Sequence, residues 1–157
     1  MELSETRRRA STAALTVLRL TLGIIMTAHG WQKLVDTQAT IEGFTQMGVP
    51  APGVTVYLAM AGELLGGLGL IFGALTPVAA FGVLAVMVGA IFTVHIGNGL
   101  FAQNNGWEFP LLILMTSLYF MARGAGPVSV DALVRQRARA GEGRRREREH
   151  PPREAHG

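Results

Sequence analysis

The chain has no cysteine among its 157 residues. Disulfide frameworks, iron–sulfur clusters, thiolate zinc sites and Cys-x-x-Cys redox chemistry are therefore excluded. Any electrons the protein handles must be carried by a bound group. Charge is also scarce: charged residues make up 16%, against a usual ~25%. Five of the 25 charged side chains lie in Met1–Arg9 and fourteen in Arg123–Gly157. The long stretch between holds only Arg19, Lys33, Asp36, Glu42, Glu63 and Glu108. No water-soluble domain covers a surface of that size with six charges, so a soluble enzyme is excluded. A disordered chain is excluded by the 49% of apolar residues. The net charge of +3 comes from the two ends and does not call for nucleic acid.

What is present is long apolar runs, from about Ala13 to Val35, Val54 to Leu75, Pro77 to about Ile96, and Trp107 to Ala122. A helix needs roughly 20 apolar residues to cross ~30 Å of hydrocarbon. The first three runs meet that length. The fourth is short and must borrow Asn105 and Gly106 or thin the bilayer. Lipid offers no partner to backbone N–H and C=O groups, so all four must be helices. The expected fold is all-α, an integral membrane four-helix bundle over 13–127. It is preceded by a basic terminus over 1–12 and followed by a tail over 128–157.

Local signals refine this outline. Thr76-Pro77 reads as a helix start, with Thr76 as the cap. Ile41, Phe44 and Met47 recur every three residues, which predicts a short amphipathic helix on the outer membrane surface, stopped by Gly48 and Pro50. Ser129 can cap a short helix from Val130 to about Ala140. The Arg/Glu-rich segment from Gly141 to Gly157, with Pro151-Pro152, is expected to be disordered. Arg7–Arg9 precede the first span, and Arg123, Arg135, Arg137 and Arg139 follow the fourth, so both termini are expected in the cytoplasm. Arg19 interrupts the first apolar run and no small-x-small site follows, which argues against a cleaved leader.

Ionisable side chains inside a bilayer cost several kcal/mol unless paired. Arg19 and Glu63 are separated in depth by roughly 8 Å when spans are aligned at 1.5 Å per residue. A long Arg side chain can bridge that gap, so a structural Arg19–Glu63 ion pair is expected. Gly62/Gly66 and Gly69/Gly73 form two Gly-x-x-x-Gly pairs, read first as packing within the bundle. His29, Lys33, His95 and Glu108 should gather near the outer face with Glu63 below, closed over by Trp31, Trp107 and Phe109. Such a setting resembles a pocket for a lipophilic ligand. Glu63 and His29 are the candidate catalytic residues. His29, Lys33, Glu63, His95, Trp107 and Glu108 are the candidate cofactor-binding residues. Haem held by His29 and His95 is disfavoured, because both rings would have to aim at one axis. Zinc on His29, His95 and Glu108 is no better supported, and no metal is expected.

One ordered set of residues resembles a known family. It runs Arg19, Gly23, His29-Gly30, Lys33; Phe44, Gly48-Val49-Pro50; Glu63, Gly66-Gly67, Gly73; His95; Gly106-Trp107-Glu108; and Gly124, Gly126-Pro127, Ser129, Asp131. From about Leu18 to Asp131 the chain resembles the DoxX family of small bacterial membrane proteins. The resemblance implies a four-helix bundle in the bacterial inner membrane. It also implies a quinone-linked redox role, since the family takes its name from association with a terminal quinol oxidase, and DoxD relatives are subunits of thiosulfate:quinone oxidoreductase. The absent cysteines set the chain apart from thiol-active bundles such as vitamin K epoxide reductase.

Two functions follow as expectations. One is a quinone-binding subunit of a membrane oxidoreductase, with a redox partner subunit or a second copy of the chain beside it in the bilayer. The other is a non-enzymatic scaffold, assembly factor or small-solute carrier.

Overall fold

The computed structural model describes residues 2–149. The chain is all-α, with no strand among the described residues. Helix α1 covers Glu2–Val35, α2 Thr37–Gln46, α3 Pro52–Phe72, α4 Thr76–Ala90, α5 Glu108–Arg123 and α6 Val130–Glu149. A π-helical turn over Ile91–His95 and a 3₁₀ turn over Ile96–Asn98 prolong α4. Among the described residues three helical stretches are long and apolar enough to cross a membrane: Leu3–Val35, Pro52–Phe72 and Thr76–Asn98. Helix α5 has 16 residues, about 24 Å at 1.5 Å each, and falls short of the ~30 Å hydrocarbon layer.

Both charged ends are more helical than their composition suggests. Helix α1 begins well before Ala13, where Arg, Glu and Ala are good helix formers and Arg9 pairs with Glu5 one turn away at 3.0 Å. Helix α6 continues past Ala140 to Glu149. The expectation of disorder from Gly141 is thus corrected for 141–149, where Arg and Glu outweigh Gly141 and Gly143. The rest of that expectation, 150–157, lies outside the described residues. Ala132 N–H donates to Ser129 Oγ (3.1 Å), the cap read from the sequence.

Helices α1, α3, α4 and α5 share one core. Leu22 and Met26 from α1 meet Leu70 from α3, Ala80, Val83 and Met87 from α4, and Ile113 and Phe120 from α5. Helix α3 lies between α1 and α4, and α4 between α3 and α5. Ile24, Leu65, Phe81, Phe92 and Leu112 are exposed on the outside. A belt of that kind is intolerable in water and natural in lipid.

Glycines set the helix spacing. A methyl group at Gly30 would sit 2.6 Å from Leu64 N, and one at Gly67 would sit 2.5 Å from Thr27 N. On the other side of α3, Gly62 abuts Gly82 O and Val86, Gly66 abuts Ala79 O and Val83, and Gly69 abuts Ala79. The small residues let backbones touch. The Gly-x-x-x-Gly pairs are therefore occupied inside the molecule.

The end of the molecule away from α2 is tied by two charged side chains. Arg19 is buried at 2% exposure. Its Nη1 donates to Leu70 O and Ile71 O, and its Nη2 to Val128 O at 2.8 Å. The expected Arg19–Glu63 pair does not form. Gly30 lies opposite Leu64 and Gly23 opposite Ile71, so Arg19 is level with the C-terminal end of α3. Glu63 sits some eleven residues further along α1, about 16 Å away in depth. There the cation meets carbonyls at the negative end of a helix.

Asp131 is the second tie. Its carboxylate accepts from Leu75 N–H (2.8 Å) and Thr76 N–H (3.0 Å), and its own N–H donates to Gly73 O (2.9 Å). The cap of α4 is thus Asp131, not Thr76, because the chain turns at Leu75 with φ 47° and offers no local side chain. Burial acts to raise the Asp131 carboxyl, but hydrogen bonds from Thr76 and Leu75 and the charge of Arg135 outweigh it and hold it below the ordinary carboxylate value. Its stabilising contribution is full above the unfolded value of about 3.9 and fades as pH falls through the lower folded value. Asp131→Ala should lose about 1–2 kcal/mol near neutral pH, as other lost N-caps do. Thermal unfolding in detergent at stepped pH should show the gap from wild type closing below about pH 4.

Candidate functional site

Opposite the Arg19 end, α1, α2, α3, α4 and α5 line a half-open cavity of about 830 Å³. Such a volume lies in the range of small-molecule sites. Its walls are mostly apolar: Met26 from α1, Phe44 from α2 and Met47 just after it, Leu58 and Ala59 from α3, Ala85 and Met87 from α4, and Phe109 and Ile113 from α5. Gly62 and Gly82 line it where α3 and α4 touch.

Among the described residues four ionisable side chains line this cavity: His29, Lys33, Glu63 and His95. Lys33 Nζ stands 2.6 Å from Glu63 Oε2. The glycine contacts of α1 and α3 bring the two together: with Gly30 against Leu64, Lys33 one turn on is carried over Glu63. Glu63 is 5% exposed, and a carboxylate that deep needs a cation. Lys33 is thus the partner that the sequence assigned to Arg19.

His95 occupies the π-helical turn at the end of α4, and such turns recur at functional sites. Its Nδ1 lies 2.8 Å from Asn105 O. A carbonyl oxygen only accepts, so Nδ1 carries a proton, and in the neutral ring Nε2 is left as an acceptor. His29, one turn before Lys33, makes no side-chain hydrogen bond among the described residues.

Two expected members of the site stand apart. Glu108 caps the loop before α5, accepting from Ala102 N–H at 2.6 Å. Trp107 is the N-cap residue of α5, and neither it nor Glu108 lines the cavity. Both sit where the chain enters α5, and there the loop over Ala102–Asn104 takes up the carboxylate. Trp31 is 59% exposed on the outside of α1 and also lies off the cavity. Of the three aromatic side chains expected to close the site, Phe109 does so. The wall that sequence reasoning did not assign is α2. Its Ile41, Phe44, Met47 period was legible, but read as a membrane-facing stripe. Asp36 starts this helix by accepting from Ala39 N–H (3.0 Å), and Gly48 at φ 71° turns the chain back toward α3.

Among the described residues no three His, Asp or Glu side chains gather closely enough to hold a metal ion. The arrangement can do something else. It presents one ammonium, one carboxylate and one imidazole acceptor to an apolar chamber, which suits a lipophilic molecule with a polar oxygen-bearing head.

Comparison with known proteins gives the lineage. The DoxX family model matches residues 14–96. A Bacillus subtilis protein named "Putative oxidoreductase CatD" is 32% identical over 118 residues, covering 75% of this chain and 84% of its own. An uncharacterized Haemophilus influenzae protein is 34% identical over 122 residues, with 74% and 87% covered. A second one from that organism is 32% identical over 88 residues, with 56% and 58% covered. No solved structure matches the chain. The family match spans half the chain, two relatives above 30% identity are covered over most of their length, and the apolar helices fit a bilayer: this is a multi-pass membrane protein belonging to the DoxX family.

Proposed function

We propose that the chain is the quinone-binding subunit of a membrane oxidoreductase in the bacterial inner membrane. It would act as a four-helix bundle with both termini in the cytoplasm. The observation that carries this reading is the cavity itself, an apolar chamber with the Lys33–Glu63 pair and His95 on its wall. A quinone supplies a two-electron, two-proton couple when bound. The residues suit it. Lys33 can donate to a ring oxygen, His95 Nε2 can accept from a ring hydroxyl, and Glu63 can take or give a proton through Lys33. Met26, Phe44, Met47 and Phe109 would hold the ring and exclude water. The "oxidoreductase" in the name of the Bacillus relative points the same way. The scaffold reading has less support, because Gly62, Gly66 and Gly69 are already packed on α4.

The test is chemical. The protein is purified in mild detergent and extracted with organic solvent, and bound molecules are identified by mass spectrometry. The expected result is quinone close to one per chain, displaced by a short-chain quinone added before extraction. An extract of phospholipid alone, with no displacement, would remove the quinone reading and leave the scaffold or carrier.

A further inference from the structure

A second cavity, of about 650 Å³, lies at the opposite end, between the first turns of α1 and the link joining α5 to α6. Arg8 and Arg9 line it at the start of α1, Thr12 and Thr16 come next along the helix, and Val17 follows, with Pro127 and Val128 lining it from the link. Polarity thus changes along one groove from guanidinium through hydroxyl to hydrocarbon. From Arg8 to Val17 the helix rises about 14 Å, comparable to the depth from a phosphate layer to the first methylenes.

We propose that this groove binds one anionic phospholipid of the adjoining leaflet, with its phosphate on Arg8 and Arg9 and an acyl chain along Val17 and Val128. Three observations favour that occupant. Among the described residues no carboxylate lines the groove, and Glu5 pairs with Arg9 (3.0 Å), which leaves Arg8 without an ion-pair partner among them. The Thr16 hydroxyl is committed to Thr12 O at 2.8 Å, whereas Thr12 makes no side-chain hydrogen bond among the described residues, so its O–H is available to a phosphate oxygen. The far wall is also held in place, because Val128 O accepts from the buried Arg19. An apolar inner end favours a lipid over free phosphate, and an uncompensated guanidinium favours an anionic head group over a zwitterionic one.

Native mass spectrometry of the full chain, titrated with phosphatidylglycerol or phosphatidylcholine of the same acyl length, tests this. One phosphatidylglycerol should be retained in preference to phosphatidylcholine. Arg8→Gln/Arg9→Gln should weaken it by at least about tenfold, given the worth of each basic residue near an anionic surface. Arg137→Gln/Arg139→Gln on α6 should leave it unchanged. All four positions are exposed, and unchanged unfolding temperatures would show that the fold is intact. Equal retention of the two lipids, or equal loss in the α6 variant, would mean diffuse surface attraction and overturn the site. Full displacement of the lipid by millimolar inorganic phosphate would also overturn it, in favour of a phosphate site.

Discussion

Arg19→Ala should destabilise the protein by about 3–5 kcal/mol, given about 1–3 kcal/mol for each buried acceptor that loses its donor. Arg19 is 2% exposed and donates to Leu70 O and Ile71 O in α3 and to Val128 O before α6. Its removal takes the Arg19 donors from Ile71 O and Val128 O and leaves Leu70 O with the N–H of Gly73 at 3.2 Å, at a helix end that is short of donors. It also leaves a void beside Gly73, where an added methyl would lie 2.5 Å from Arg19 Nη1. Arg19→Lys keeps the charge but not the fork. One ammonium nitrogen cannot occupy both the Nη1 and the Nη2 positions, so an intermediate loss of about 1–3 kcal/mol is expected, roughly one charged hydrogen bond. Unfolding of the detergent-solubilised chain by increasing denaturant reads both values. An Arg19→Ala midpoint equal to wild type would show that the clamp carries no stability. If Arg19→Ala does not accumulate folded, the Lys variant still gives the graded answer.

Arg19 also marks the limit of what could be read beforehand. Hydropathy located the apolar helices to within a few residues, because each is a run that only lipid or a core can accept. It could not set how far one antiparallel helix slides along its neighbour. That register depends on Gly30 meeting Leu64 and Gly67 meeting Thr27, contacts without a local signature. A shift of about one and a half turns exchanged the partner of Glu63 from Arg19 to Lys33. The convergence of His29, Lys33, Glu63 and His95 on one end was legible from depth alone, since it needs only matched distances from the helix ends. Glu108 shared that depth, yet depth says nothing of direction, and the loop N–H of Ala102 claims it. The capping of α4 by Asp131 joins positions 55 residues apart, beyond any local pattern.

The Lys33–Glu63 pair should behave as a coupled unit. Lys33→Met leaves a carboxylate at 5% exposure without its cation, and a loss of about 3–5 kcal/mol is expected, as for other broken buried pairs. Glu63→Gln should cost less, because the Lys33 side chain, 17% exposed, can carry its ammonium outward along its own stem. The double variant Lys33→Met/Glu63→Gln removes both charges and should recover much of the loss. A cycle of the four proteins should return a coupling of about 2–3 kcal/mol, the upper range for residues in direct contact. Strict additivity would mean that the two side chains do not meet. The double variant also separates structure from function. Its fold is expected to survive while both of its charged groups are gone from the cavity wall. If Lys33 and Glu63 hold a quinone head, the folded double variant should come out of extraction without it. If it retains quinone at the wild-type level, the pair holds α1 to α3 and nothing more, and ligand recognition would pass to His29 and His95.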